Sequence, residues 1–307
     1  MIRLNESAKG VYVIAVTPFQ SDGALDLEST DRMVDFYLDC GATGLTVLGM
    51  MGEAQKLTIE ESQTIVRRIL ARVAGRVPVV VGVSAAGFAQ MAALTTMVMD
   101  DGAAGVMIAP PGALRTDDQI VTYYHQAAEF IGDVPFVLQD FPLVTNVQMS
   151  VPVIRRIVRD LPTCVCLKHE DWPGLDKITA LRAEGSLDRR ISILCGNGGM
   201  FLPEEMGRGA DGAMTGFAYP EMMVDVVRHM NAGEVERAHD LFDAYLPLAR
   251  FEQQPGVGLA VRKYVMARRG IIASAALRRP GGNLTPQTVA DIERLITRQD
   301  KRLKELN

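Results

Sequence analysis

Eight short runs rich in valine, isoleucine and leucine recur along the chain, and this repeat constrains the fold more than any other feature of the sequence. Longer segments with the apolar spacing of amphipathic helices lie between them. Near-continuous apolar strands that alternate with helices are typical of a parallel sheet covered on its outer face. The runs occupy residues 11–16, 44–49, 78–83, 105–110, 135–139, 163–168, 191–196 and 212–216.

The number of these units favours a closed barrel. Eight strand and helix units without a break in composition predict an α/β fold of the (β/α)8, or TIM barrel, type. Such a barrel commonly takes about 250 residues, and the chain has 307. A doubly wound open sheet is the alternative that periodicity alone leaves open.

After the eighth run the pattern contains helices only. We expect residues 1–219 to form the barrel through its eighth strand. Residues 220–307 should hold the last barrel helix and a C-terminal helical extension. The extension is predicted to be broken at Pro and Gly positions. The predicted helices are 220–232, 234–250, 256–269 and 286–305, and the clearest breaks are at 253–256 and 278–282.

One barrel helix carries both a start signal and a buried face in its sequence. Thr58 followed by Glu61 matches a capping box, which predicts a helix start near residue 58. The apolar residues that should share one face of this helix are Ile59, Ile65, Val66, Ile69 and Leu70.

Composition excludes several classes of function. A formal net charge of −5 gives no concentrated basic surface for nucleic acid or an anionic membrane, so a small-molecule partner fits better. The start of the chain lacks the pattern of a signal peptide and no apolar run is long enough to span a membrane, which predicts a soluble, cytoplasmic protein. The four cysteines and four histidines show no metal-ligand spacing, so neither a metal nor another cofactor is expected.

Lys168 is the one lysine at the predicted C-terminal ends of the strands, where the active sites of such barrels lie. Partial burial at a barrel mouth favours the neutral amine, which can attack a carbonyl to form a Schiff base. From position alone, a structural lysine paired with Glu170 or Asp171 is the stronger explanation.

The residues around Lys168 have a predictable orientation. Strand side chains alternate, so Cys164, Cys166, Lys168 and Glu170 should point to one side of the sheet. His169 should point to the other side, where a structural hydrogen bond is its expected role.

The turn GMMGE at residues 49–53 is a second candidate. A strand that ends in Gly-x-x-Gly allows a tight turn whose backbone N–H groups can hold a carboxylate. We therefore expect Gly49, Met50, Met51 and Gly52 to bind the carboxylate of a 2-oxo acid whose ketone Lys168 attacks. Glu53 is equally open to a catalytic role and to a role in stabilising the turn.

Together these residues resemble the dihydrodipicolinate synthase and N-acetylneuraminate lyase family of Schiff-base lyases. The resemblance extends over nearly the whole chain. It implies a (β/α)8 barrel with C-terminal helices, a homotetramer, an imine between Lys168 and a pyruvate-like group, and a carboxylate site at Gly49–Gly52. The motifs are VTPF at 16–19, GMMGE at 49–53, PFVLQDFP at 135–142, CLK at 166–168 and GADGAMTG at 209–216.

The sequence also departs from the synthases of that family. They relay protons through a threonine and two tyrosines, and the matching positions here are Met50, Pro110 or Pro111, and Gln139. None of these side chains can relay a proton. The arginine that synthases use for the second substrate has no counterpart in residues 141–145. Dihydrodipicolinate synthesis is therefore not expected.

Glu170 is the best candidate for a replacement acid and base, since its spacing places it beside Lys168. Gln139 with Lys-x-Glu resembles the 2-keto-3-deoxyarabonate dehydratase branch of the family. Gln139 could bind the substrate or Glu170, or only fill the barrel mouth. Asn197, Met214 and Thr215 are further substrate-binding candidates, and Tyr219 could line the same pocket.

The sequence thus predicts a cofactor-independent lyase acting on a 2-oxo acid, with dehydration of a 2-keto-3-deoxy sugar acid favoured because Glu170 is present and the tyrosines are missing. A pyruvate-dependent aldolase and a catalytically inactive barrel that binds a 2-oxo acid are the alternatives.

Overall fold

The computed structural model describes residues 2–172 and 174–306 and shows a closed barrel of parallel strands. Each strand pairs with the next along the chain, and the eighth pairs with the first. The predicted (β/α)8 barrel is confirmed. The strands are β1 Gly10–Ile14, β2 Gly44–Val47, β3 Val79–Gly82, β4 Gly105–Ile108, β5 Phe136–Asp140, β6 Cys164–His169, β7 Ser192–Cys195 and β8 Gly212–Thr215.

Helices surround the barrel, and those after β8 match the predicted C-terminal segments to within a few residues. The helices along the whole chain are α1 Leu27–Asp39, α2 Ile59–Val73, α3 Phe88–Asp100, α4 Asp117–Ile131, α5 Pro142–Thr145, α6 Val151–Asp160, α7 Leu175–Arg182, α8 Leu202–Gly207, α9 Pro220–Asn231, α10 Val235–Glu252, α11 Gly258–Arg268 and α12 Pro286–Leu306. Among the described residues, no helix is both long and apolar enough to cross a membrane.

Helix α2 shows how the local sequence sets an element. Thr58 Oγ1 accepts the N–H of Glu61 and the Glu61 carboxylate accepts the N–H of Thr58, which is the predicted capping box. Ile65 and Val66 are fully buried as expected. Ile59 is not, because it is the first helical residue and lies beyond the edge of the covered face, with 64% of its surface exposed.

Two hydrophobic cores lie on either side of the barrel wall. The larger one joins the outer face of the strands to the helices. The smaller one fills the barrel interior, and burial of each large aliphatic side chain contributes about 1.5–3 kcal/mol. The interior core includes Tyr12, Ile14, Val80, Met107, Val137, Cys166, Leu194 and Met214.

Strand β6 contains an irregularity that the sequence did not reveal. Phe136 and Val137 are adjacent on β5, but their partners on β6 are Cys164 and Cys166, so Val165 is an extra residue in a β-bulge. Cys164 therefore packs in the outer core while Val165 and Cys166 pack in the interior. The expectation that Cys164 shares the face of Lys168 was wrong, because strict alternation fails at a bulge.

Candidate active site

Lys168 and Glu170 form a buried ion pair at the C-terminal end of the barrel. Lys168 Nζ lies 2.9 Å from Glu170 Oε2, and each side chain is only 6% exposed. Strand β6 is regular beyond its bulge, so the expected alternation holds for these two residues. Among the residues that the structure describes, Glu170 is the one ion-pair partner of Lys168, which leaves the amine with unused hydrogen-bonding capacity.

Gln139 completes this group from the neighbouring strand. It pairs in register with Lys168, and its Nε2 donates to Glu170 Oε2 at 2.7 Å. Of the alternatives considered for Gln139, the structure therefore shows contact with Glu170. One carboxylate oxygen of Glu170 thus meets both an ammonium and an amide N–H, which fixes its orientation.

The backbone of Glu170 is held from two sides. Its N–H donates to Asp140 O at 2.8 Å, and its carbonyl oxygen accepts Asn197 Nδ2 at 3.0 Å. Asn197 lies in the GNGG turn at residues 196–199, directly after β7, and its own backbone is left-handed. The structure places Asn197 as a support for Glu170, and its predicted contact with substrate stays a prediction.

Gly196, the first residue of the GNGG turn at 196–199, packs against Glu170, a contact that the sequence did not predict. A Cβ atom at this position would lie 2.2 Å from Cγ of Glu170 and 2.4 Å from its Oε1. Only glycine therefore allows the carboxylate to pack against the β7 turn. The signal in the sequence was the GNGG turn, but nothing in it indicated that its neighbour would be Glu170.

The GMMG turn has the geometry expected of a carboxylate site. Residues Met50–Gly52 form a 3-10 turn, closed by Gly52 N–H to Gly49 O at 3.0 Å and held by Thr17 Oγ1 donating to Gly52 O at 2.6 Å. Within the described ranges, the N–H groups of Met50 and Met51 have no hydrogen-bond acceptor. Two free adjacent N–H groups can bind an anion.

Glu53 stabilises this turn. Its Oε1 lies 2.6 Å from Lys263 Nζ and its Oε2 lies 2.8 Å from Lys56 Nζ and 3.0 Å from the N–H of Arg278. The residue adopts a left-handed backbone with φ 55°, which is costly for glutamate and is compensated by these contacts. The structure thus favours the structural role of Glu53 over the catalytic one.

The candidates on and after β8 lie in different surroundings. Met214 is fully buried in the interior core. Thr215 Oγ1 accepts the N–H of Gly198 at 2.8 Å and so anchors the GNGG turn. Tyr219 does not line the pocket as expected, because its ring packs against Phe217 and lies 4.1 Å from the guanidinium of Arg269.

A cavity of about 850 Å³ opens from this end of the barrel. Gln139 and Met107 line its inner part together with Gly49 and Met50, and it extends outwards between α2 and α3. Through Gln139 the cavity meets the Lys168–Glu170 pair. No group of three His, Cys, Asp or Glu side chains suited to a metal ion occurs in residues 2–172 or 174–306. Pro110 and Pro111, one of which matches a tyrosine position of the synthases by sequence resemblance, also line the cavity.

Comparison with known proteins identifies the family. The model of the Dihydrodipicolinate synthetase family matches residues 7–299. The chain belongs to this family. The resemblance predicted from sequence motifs is thereby confirmed, and the protein is related throughout its length to a family of lyases.

Individual members of the family carry different names. An L-2-keto-3-deoxyarabonate dehydratase from Azospirillum brasilense is 31% identical over 95% of this chain and 94% of its own length. A 4-hydroxy-tetrahydrodipicolinate synthase from Thiobacillus denitrificans is 28% identical over 79% of this chain and 81% of its own. A crystal structure described as dihydrodipicolinate synthase from Rhodopseudomonas palustris is 55% identical, with a TM-score of 0.95, over 97% of this chain and 100% of that one.

Proposed function

We propose that this member of the family is a Schiff-base lyase that dehydrates a 2-keto-3-deoxy sugar acid through an imine on Lys168. The observation that carries the proposal is the Lys168–Glu170 contact of 2.9 Å beside a large cavity. It supplies a nucleophile and a proton acceptor at hydrogen-bonding distance in a buried site, which is the requirement for imine formation.

In the first step Glu170 takes a proton from the Lys168 ammonium, and the amine attacks C2 of the substrate. Glu170 returns this proton to the C2 oxygen, which leaves as water, so that a protonated imine and the Glu170 carboxylate remain. In this mechanism the free N–H groups of Met50 and Met51 hold the substrate carboxylate during the attack. Gln139 stays hydrogen-bonded to Glu170 or to a substrate hydroxyl.

In the second step the Glu170 carboxylate removes a proton from C3, and the electrons of that bond form an enamine. The enamine expels the C4 hydroxyl, which receives the proton from Glu170 and leaves as water. A conjugated imine remains, and its hydrolysis releases the unsaturated oxo acid and regenerates Lys168. One carboxylate serves as base and then as acid, so no tyrosine relay is needed.

The departures from the synthases support dehydration. Met50, Pro110 or Pro111, and Gln139 stand where synthases have their threonine and tyrosines, and residues 141–145 contain no arginine. A relative named as a dehydratase covers almost the whole chain. The relatives named as synthases favour carbon–carbon bond chemistry instead, so an aldolase of the same family is the second candidate.

Product analysis with a panel of 2-keto-3-deoxy acids tests the reaction type. Dehydration gives an oxo acid that has lost one water and releases no pyruvate. Pyruvate plus an aldehyde would establish the aldolase and overturn the dehydratase proposal. Binding of 2-oxo acids without any product would instead favour a barrel that has lost catalysis.

Trapping with borohydride tests the imine separately. Reduction in the presence of pyruvate should add one covalent group, which peptide mapping by mass spectrometry should locate at Lys168. A label at another lysine, or no label, would exclude the imine mechanism whatever the substrate.

A further inference from the structure

Three buried side chains lie next to one another on the outer face of the barrel, directly behind the Lys168–Glu170 pair. Asp140, His169 and Cys195 end β5, β6 and β7, and the strand pairing places them in register. All three are essentially inaccessible to solvent. His169 lies between Lys168 and Glu170 in the sequence, so its backbone is joined directly to both residues.

The two ring nitrogens of His169 differ in their contacts. Nε2 lies 3.0 Å from Gly174 O, which identifies Nε2 as the donor of this hydrogen bond. Nδ1 lies 3.8 Å from Asp140 Oδ2, beyond hydrogen-bonding distance, and has no hydrogen-bond partner among the described residues. A Cβ atom on Gly174 would lie 2.0 Å from Nε2, so the backbone packs directly on the ring. The ring therefore sets the place where the chain turns back towards α7.

Asp140 is itself fixed by a lysine. Lys177 on α7 lies 2.8 Å from Asp140 Oδ2 and 2.7 Å from Asp171, and it also donates to Met149 O at 2.7 Å. Asp140 O accepts the N–H of Glu170 at 2.8 Å. Lys177 thus links Asp140, whose carbonyl holds the N–H of Glu170, to Asp171, the residue after Glu170.

Glu170 needs such support because β6 ends at His169. Its own side-chain contacts, to Lys168 and Gln139, are the ones that change when a proton moves or an imine forms. The position of its carboxylate must therefore be set by contacts outside the reacting group.

We propose that His169 is a positioning residue, which holds Glu170 at the distance from Lys168 that proton transfer requires. This inference rests on the proposed function, because it assigns His169 its role through Glu170. A displacement of about 1 Å in a reacting group can lower a rate on the order of 10²-fold. The effect of His169 should therefore fall on the proton-transfer steps and leave substrate binding nearly unchanged.

The test compares His169→Leu with His169→Gln. Leucine removes both ring nitrogens, whereas the glutamine amide can replace the Nε2 donor to Gly174 O. We expect His169→Leu to lower kcat on the order of 10²-fold with KM changed by less than about threefold. His169→Gln should recover kcat to within about fivefold of the wild type. The final yield of the borohydride adduct should be the same in all three proteins.

His125→Leu is the matched control, because His125 lies on α4 with 40% of its side chain exposed. If His169→Leu does not fold, Gly174→Ala probes the same contact from the other side and should lower kcat while the adduct still forms. A parallel loss of kcat, adduct and melting temperature would overturn the proposal in favour of a purely structural histidine. Unchanged kcat in His169→Leu, or no recovery by glutamine, would also overturn it. A wild-type protein that forms no adduct would refute the proposed function instead.

Discussion

Residues 2–172 and 174–306 contain two buried lysine–glutamate pairs, and they differ in what else the lysine contacts. Lys263 Nζ lies 2.6 Å from Glu53 Oε1 and also donates to Thr17 O at 2.8 Å and Ala276 O at 3.0 Å. Its three N–H groups are all used. In the described part of the chain, Lys168 is paired with Glu170 alone, at 2.9 Å.

This difference separates a structural lysine from a reactive one. Burial lowers the pKa of Lys263, and the Glu53 carboxylate opposes that change. Lys168 is likewise buried and paired with a glutamate, so burial and an ion pair do not distinguish the two lysines. What distinguishes Lys168 is its free hydrogen-bonding capacity and its place next to Gln139, the neighbouring-strand residue that lines the cavity. An amine can attack a carbonyl only if it can leave its partner, and Lys263 is held by three acceptors at once.

The largest expected effect is on turnover. Lys168→Ala should lower kcat by at least about 10⁴-fold, because the nucleophile is removed. Lys263→Met should leave kcat of the folded enzyme within about tenfold, since Lys263 contacts no reacting group. Steady-state kinetics measure kcat for both variants, and substantial turnover by Lys168→Ala would show that Lys168 is not the reactive lysine.

Glu170→Gln should lower kcat on the order of 10³-fold, since the amide can neither accept nor return a proton. Lys168 remains, so the borohydride adduct with pyruvate should still form, although more slowly. Kinetics and mass spectrometry on the same preparation measure the two effects. Equal loss of adduct and turnover would show that Glu170 acts only in imine formation.

Lys263→Met should affect stability. Removal of one partner from a buried pair costs about 3–5 kcal/mol, because Glu53 is left without its main counter-charge. The melting temperature should fall by roughly 5–10 °C. Lys301→Met is the control, since the Lys301 side chain is 78% exposed. Equal melting temperatures for the two variants would contradict the structural role of Lys263.

Glu205 extends the comparison to a buried carboxyl without a lysine. The described residues give its Oε2 no hydrogen-bond partner, and burial raises the pKa of Glu205 to about 7 from 4.5. The folded protein favours the protonated carboxyl of Glu205. The stability that this group contributes is therefore complete below about pH 4.5 and is lost as pH rises through 7.

Glu205→Gln cannot ionise. Its stability relative to the wild type should therefore rise on the order of 2–3 kcal/mol between pH 5 and pH 8. Urea denaturation of both proteins at the two pH values measures the free energies of unfolding. If the difference between variant and wild type is the same at both pH values, Glu205 is ionised throughout.

The parts of the fold that the sequence predicted are those with short-range signals. The eight strands follow from local apolar runs, and the start of α2 follows from Thr58 and Glu61. Strand alternation placed Lys168 and Glu170 together because a single residue, His169, separates them. The GMMG turn likewise follows from its own glycines.

The contacts that the sequence did not reveal join distant parts of the chain. Glu53 and Lys263 are 210 residues apart, and no local pattern relates them. Gly196 packs against Glu170 only because two neighbouring strands end at the same height. The outward orientation of Cys164 depends on how β6 pairs with β5, which its own sequence does not encode.

The bulge at Val165 has a consequence for how the protein can tolerate changes in length. An extra residue in a strand normally rotates every later side chain to the opposite face. In β6 the bulge already holds one residue outside the regular pairing, so it can absorb a deletion there while Lys168 keeps its direction. The start of β6 can thus lose one residue without turning Lys168 out of the barrel.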